Sequence, residues 1–246
     1  MILDQVTIPA RFNGPPGTAN GGCVCGLVAA AVGPSACVRL LHPPPLLAPL
    51  ERRRGDDGML RLRAGETTIA EGRAARPSVN APTAPSPAAA ARAAEGYAGR
   101  DAERHPFPTC FVCGPFRPDD GMRISPGPVG NDGVLACPWW PTADLAANGV
   151  IDRRFVGAAL DCPSGFACMP PGTRTVLGSM TASLEAPVEP EREYVVTAWP
   201  IASQGRKHRA GSTIHDAHGR RVAVAEALWI SLRDDGQPRV PAAPRP

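Results

Sequence analysis

The chain has 246 residues, 43% hydrophobic and 20% charged, with a formal net charge of +3. That is the balance of a globular protein, long enough for one large domain or two packed halves. The charge is too small, and the 5% aromatic content too sparse, for a basic surface with interleaved aromatics, so nucleic acid is not expected as a partner. All but one of the 26 basic residues are arginines, Lys207 being the exception. With abundant Ala, Pro and Gly, this points to a coding bias before it points to a binding surface. No run is long and apolar enough to cross a bilayer, so no membrane partner is expected. The start, from Met1 to Gln5, shows no basic region followed by an apolar one, and no secretory signal is read there. Eight cysteines in that context argue for reduced thiols and a cytoplasmic location, with cysteine used as a small hydrophobe.

In chain order, residues 5–12 read as a short edge strand, because Pro9 cannot donate to a central ladder. A Gly- and Pro-rich loop, 13–22, leads into the segment 23–32, apolar all round and therefore a buried helix. Asn20 is its candidate N-cap, and Gly33 and Pro34 stop it. The amides of Gly21, Gly22 and Cys23 would be free at a helix N-terminus, a place that favours negative charge. Strand-like runs follow at 36–42, 46–53, 58–64 and 67–75, with Gly65 marking a hairpin. Residues 77–104 are a Pro- and Ala-rich linker with a surface helix near 88–97.

The pattern then resumes. Strands are expected at 122–125 and 133–137, a second apolar helix from about Arg153, and strands near 173–186, 193–201, 206–216 and 220–233. The residues from 236 to 246 read as a disordered tail. The two halves, 1–76 and 105–235, match in order: an apolar helix, a proline-marked bend after the first strand, and a similar final hairpin. This is an internal duplication of an α+β unit.

The second helix carries the one oddity. Phe155, Ala159, Cys162 and Phe166 form a core stripe, while Asp161 lies on another face among Gly157, Ala158, Ser164 and Gly165. A carboxylate in an apolar helix is costly to bury, and small neighbours leave room for a ligand. The competing reading is local: Pro163 breaks the helix and Asp161 caps a second segment starting at Cys162.

Two further motifs stand out. Cys110 and Cys113 have zinc-ligand spacing, and His105 and Cys137 could complete a set. Without a second Cys-x-x-Cys, a tight turn with two packed thiols is the favoured reading, so no metal is expected and structural zinc is the minor alternative. The run from Gly205 to Arg209 contains Arg206 and Lys207, a candidate phosphate contact or equally a solvated hairpin. No Gly-x-Ser-x-Gly elbow and no Gly-rich phosphate loop occurs.

Taken together, Asn20, Gly21 and Gly22 at the first helix, residues 158–165 in the second, and the Ala-rich final strands resemble the hotdog fold. More specifically, they resemble the double-hotdog acyl-CoA thioesterase-like proteins of actinobacterial type. The resemblance implies an α+β double hotdog, two central helices each wrapped by an antiparallel sheet. It implies hydrolysis of a small-molecule acyl thioester, borne by coenzyme A or a carrier protein. Gly21 and Gly22 would then serve as the oxyanion amides and Asp161 as general base or nucleophile. Asn13 or Asn20 would orient substrate or water, and Gly157, Ser164, Arg206 and Lys207 would line its path. No cofactor is implied beyond the coenzyme A of the substrate, and pairing of such units into a homodimer is a further expectation. Since only the second helix carries an acid, one working site is expected. A non-hydrolytic alternative stands beside this: an acyl-ligand binder, or a dehydratase or cyclase of secondary metabolism. A zinc-stapled interaction module is the third reading.

Overall fold

The computed structural model describes residues 1–103, 105–117, 119–170 and 173–233. The expected tail, 236–246, lies outside them. The first half holds β1 (Ile2–Thr7), α1 (Gly21–Val32), β2 (Ser35–Leu40), β3 (Pro49–Arg54), β4 (Leu60–Ala64) and β5 (Thr67–Ala74). Next comes α2 (Pro87–Glu95). The second half holds β6 (Gly127–Pro128), β7 (Leu135–Trp139), the small pair β8 (Ala146–Ala147) and β9 (Val150–Ile151), α3 (Arg153–Cys168), β10 (Thr175–Leu184), β11 (Tyr194–Gln204), β12 (Lys207–Asp216) and β13 (Arg221–Ser231).

The strand order shows the duplication directly. Reading inward from its outer strand, the first half runs β1-β3-β4-β5-β2, and the second runs β7-β11-β12-β13-β10, with β6 added outside. The two halves join where β2 pairs antiparallel with β10, Ser35 opposite Ser183 and Arg39 opposite Ser179. One sheet of 11 strands results. Joining the halves hides one open edge of each.

Both long helices pack on the sheet and on each other. α1 is buried over most of its length, as its all-apolar sequence requires. Its Asn20 side chain accepts from the Cys23 amide at 2.9 Å, the expected cap. The crossing with α3 is set by glycine. A Cβ on Gly22 would lie 2.4 Å from Asp161 Cβ, and one on Gly26 would lie 2.2 Å from Arg153 O. α2 packs over β7, β6 and β11, where Ala90 meets Ala136 and Val195 in a small cluster apart from the main core. Val195 alternates with Val196 of the main core, so α2 covers the opposite face of the sheet.

The first strand covers 2–7 and ends before Pro9. The strand expected at 122–125 is absent. Its amides at Met122 and Ile124 instead donate to Phe111 O and Val112 O, pairing with the Cys110–Cys113 turn rather than with the sheet. α3 is one helix from 153 to 168 with Pro163 inside it. Pro163 cannot donate to the preceding turn, and nearby hydroxyls supply that turn with other bonds: Ser212 Oγ donates to Leu160 O at 2.8 Å and Ser164 Oγ to Asp161 O at 2.7 Å.

Candidate functional site

Asp161 lies on α3 where that helix crosses the N-terminus of α1. It is 2% exposed. Its Oδ2 accepts from Asn20 Nδ2 and from the Gly22 amide, each at 2.9 Å. The carboxylate therefore reaches across to the other half and does not cap a second helical segment. Its Oδ1 is buried and has no hydrogen-bond partner among the described residues. Burial pushes the carboxyl up to about 7, against the Gly22 amide and the Asn20 amide, which favour the charged form.

Asn20 does two jobs with one side chain. Its Oδ1 caps α1, and its Nδ2 donates to Asp161. The small residues around the crossing make this reach possible, since any side chain at position 22 would displace Asp161. The Gly22 amide is thus already spent on the carboxylate, which departs from the expectation of two amides free for a ligand. Gly21, at the first helical position, where amides have no intrahelical acceptor, lines the cavity.

That cavity has a volume of about 460 Å³ and runs between the halves. Asn20, Gly21, Asp161 and the thiols of Cys110, Cys113 and Cys162 form its polar end. Leu40, Phe107, Phe166, Leu177, Trp229 and Ile230 are among the apolar residues of its wall. An apolar pocket with a few convergent polar groups suits a ligand with a greasy body and one reactive head. Trp229 is held in place by its Nε1–H, which donates to Ser164 Oγ at 2.9 Å.

The other expected site residues lie elsewhere. The structure does not bring Asn13, Gly157 or Ser164 to this cavity wall. Asn13 ties loops together, donating to Gly14 O and Thr109 O and accepting from Arg117. Gly157 packs against Gly22 and Gly26 at the helix crossing. Ser164 supports Trp229. Arg206 and Lys207 are exposed at the β11–β12 turn. Arg206 donates to Ser231 O at 3.2 Å, and Lys207 pairs with Ile230 of the cavity wall, so both stand beside its rim.

The alternative grouping of Cys110 and Cys113 with His105 and Cys137 is not formed among the described residues. Cys137 sits on β7, and the His105 nitrogens are engaged by Tyr97 Oη at 3.0 Å and the Phe107 amide at 2.9 Å. The third thiol is instead Cys162, next to Asp161, with its Sγ 3.8 Å from that of Cys110. Hydrogen bonds from the thiols of Cys113 and Cys162 hold Cys110 well below the usual thiol range. The same Cys110 contact pushes Cys162 up. The sequence signalled Cys110 and Cys113 by their spacing, and nothing in it tied them to Cys162, 52 residues from Cys110.

No family model matches the chain, and no curated protein does. Solved structures do. An acyl-CoA thioesterase II from Mycobacterium marinum superposes with a TM-score of 0.60 at 13% identity, over 95% of this chain and 94% of its own. The tesB protein of Mycobacterium avium subspecies paratuberculosis gives 0.57 at 13%, over 92% and 91%. A conserved protein of unknown function with hot dog fold from Alicyclobacillus acidocaldarius gives 0.57 at 10%, over 93% and 92%. With two matching halves, each a helix on an antiparallel sheet, joined edge to edge in one chain, the protein has the hotdog fold in its doubled form.

Proposed function

We propose that the protein hydrolyses an acyl thioester, the acyl chain lying in the apolar cavity and the carbonyl at its polar end. What supports this reading is that Asp161, whose Oδ1 has no hydrogen-bond partner among the described residues, and Gly21, at the start of α1, line the same apolar cavity. Water attacks the carbonyl carbon while Asp161 Oδ1 accepts its proton. The Gly21 amide donates to the developing oxyanion. The carbon–sulfur bond then breaks, and the thiolate leaves and takes up the proton. Asn20 and the Gly22 amide fix Oδ2, so Oδ1 keeps its aim. Arg206 and Lys207 at the rim suit the phosphates of a coenzyme A or phosphopantetheine carrier. The name of one similar structure, an acyl-CoA thioesterase II, agrees with this chemistry.

The test is release of free thiol from acyl-CoAs of graded chain length, in wild type and Asp161→Asn. Removing a general base costs roughly 10²–10⁴-fold. Turnover by wild type with a loss of that size in the variant is expected. Equal rates in both would refute Asp161 as the base. Tight acyl-CoA binding with no thiol release from any chain length would replace hydrolysis by ligand binding.

A further inference from the structure

The thiols beside Asp161 have no part in the hydrolysis just described. We propose that Cys110, Cys113 and Cys162 hold one zinc ion by their three sulfurs, with its fourth coordination position open to the cavity.

Geometry is the first support. The three Sγ atoms lie within 4.8 Å of one another, and Cys110 and Cys162 are 3.8 Å apart. Tetrahedral zinc with Zn–S bonds of about 2.3 Å needs its sulfurs about 3.8 Å apart. No other trio of His, Cys, Asp and Glu converges in this way among the described residues.

The turn that carries two of the ligands is the second. The Gly114 amide donates to Cys110 O at 2.9 Å, and Cys110 N to Phe107 O at 2.9 Å. A Cβ on Gly114 would lie 2.5 Å from Pro108 O and 2.6 Å from both Cys110 N and Cys110 O. The chain is therefore wound tightly enough to admit only glycine there, and the winding brings both sulfurs to one side. Asn20 Nδ2 lies 3.8 Å from the Cys162 sulfur. Such N–H donors offset the net negative charge of three thiolates on a divalent ion.

The third support is the match of donor set and setting. Buried sulfur ligands select a thiophilic ion over magnesium or calcium. All three cysteines line the cavity, and the His105 nitrogens are already hydrogen-bonded. Three protein ligands and one open position is the arrangement in zinc sites that take a ligand from solution. The ion would also fasten the 105–113 loop to α3, fixing one wall of the cavity.

The full chain, purified under reducing conditions, is titrated with cobalt(II) and then zinc(II). One cobalt per chain is expected, with sulfur-to-cobalt charge-transfer and tetrahedral d–d bands that zinc abolishes. Cys113→Ser and Cys162→Ser should each lose stoichiometric uptake, while Cys137→Ser and Cys168→Ser keep it. A measurement on wild type alone guards against variants that fail to fold: zinc should protect Cys110, Cys113 and Cys162 from alkylation and leave the half-buried Cys37 reactive. Added β-mercaptoethanol should intensify the charge-transfer band by entering the fourth position. No uptake by wild type, full uptake by folded Cys162→Ser, or protection of other cysteines would overturn the site. A cobalt spectrum indifferent to the added thiol would overturn its open position.

Discussion

Replacing Gly26 by Ala tests the helix crossing on which the site depends. Alanine is the better helix former by about 1 kcal/mol, so local propensity alone predicts a more stable protein. The packing predicts the reverse. The new methyl would sit 2.2 Å from Arg153 O, 2.7 Å from Arg154 Cα and 2.8 Å from Arg153 C, all backbone atoms that cannot rotate away. Ordinary contact needs about 3.5 Å, so the helices must part by about 1 Å. Overpacking at such a site costs about 3 kcal/mol, leaving a net loss of about 2 kcal/mol after the propensity gain. For a chain of this length that is about 4–8 °C in melting temperature. Gly21→Ala is the control, because its methyl meets only Leu177 and Leu40 side-chain atoms, at 3.1–3.2 Å. Thermal melts of the two variants and wild type decide the matter. A Gly26→Ala protein that melts at or above wild type, or no lower than Gly21→Ala, would refute the argument that close backbone contact sets this crossing.

Two other substitutions probe separate parts of the chain. Asn20→Ala removes a helix cap, costing about 1 kcal/mol, and a donor to a buried carboxylate, costing about 2 kcal/mol, for a total near 3 kcal/mol in urea unfolding. Asn20→Ser keeps the cap but does not reach Asp161, and should recover only the first part; full recovery would show that the Asp161 contact contributes nothing. At the sheet edge, Arg52 bonds to Asp4 and holds its carboxyl below the ordinary value of 3.8. Asp4 is half-buried, its side chain 41% exposed, and the pair lies at the surface, so Asp4→Asn should cost less than about 1 kcal/mol at pH 7. A carboxyl depressed in the folded state stabilises above its unfolded pKa and loses that contribution as pH falls through the folded one. The stability difference between Asp4→Asn and wild type should therefore shrink below pH 3.8; a difference that stays constant into acid would exclude this ion pair as its source.

Much of the fold was legible in the sequence because it is repeated and locally signalled. Asn20 as a cap, Gly33 and Pro34 as a stop, and the hairpin at Gly65 each rest on neighbours in the chain. The matching order of the two halves fixed the doubled architecture. Asp161 stood out because an acid in an apolar helix contradicts its surroundings. Its partners were not legible, since Asn20 and Gly22 are some 140 residues away and only the crossing brings them near. Pro163 misled in the same way. The helix runs through it, with Ser212, on a strand with no sequence sign of that contact, donating to Leu160 O in the turn before it. The run expected as a strand at 122–125 does pair, but with the cysteine turn and not the sheet. Cys162 read as core because its spacing to Phe155 and Phe166 is equally that of a packing stripe.

The seam between β2 and β10 has a consequence for how the two halves vary. In a symmetric pair of identical subunits, each change in sequence appears twice, and a helix cannot gain an acid without its partner gaining one too. Here one covalent chain supplies both sides of the seam. α1 is wholly apolar and meets the carboxylate with the Gly22 amide and its Asn20 cap, while α3 carries the carboxylate. Joining the halves in one chain lets their helices differ, with neither obliged to mirror the other.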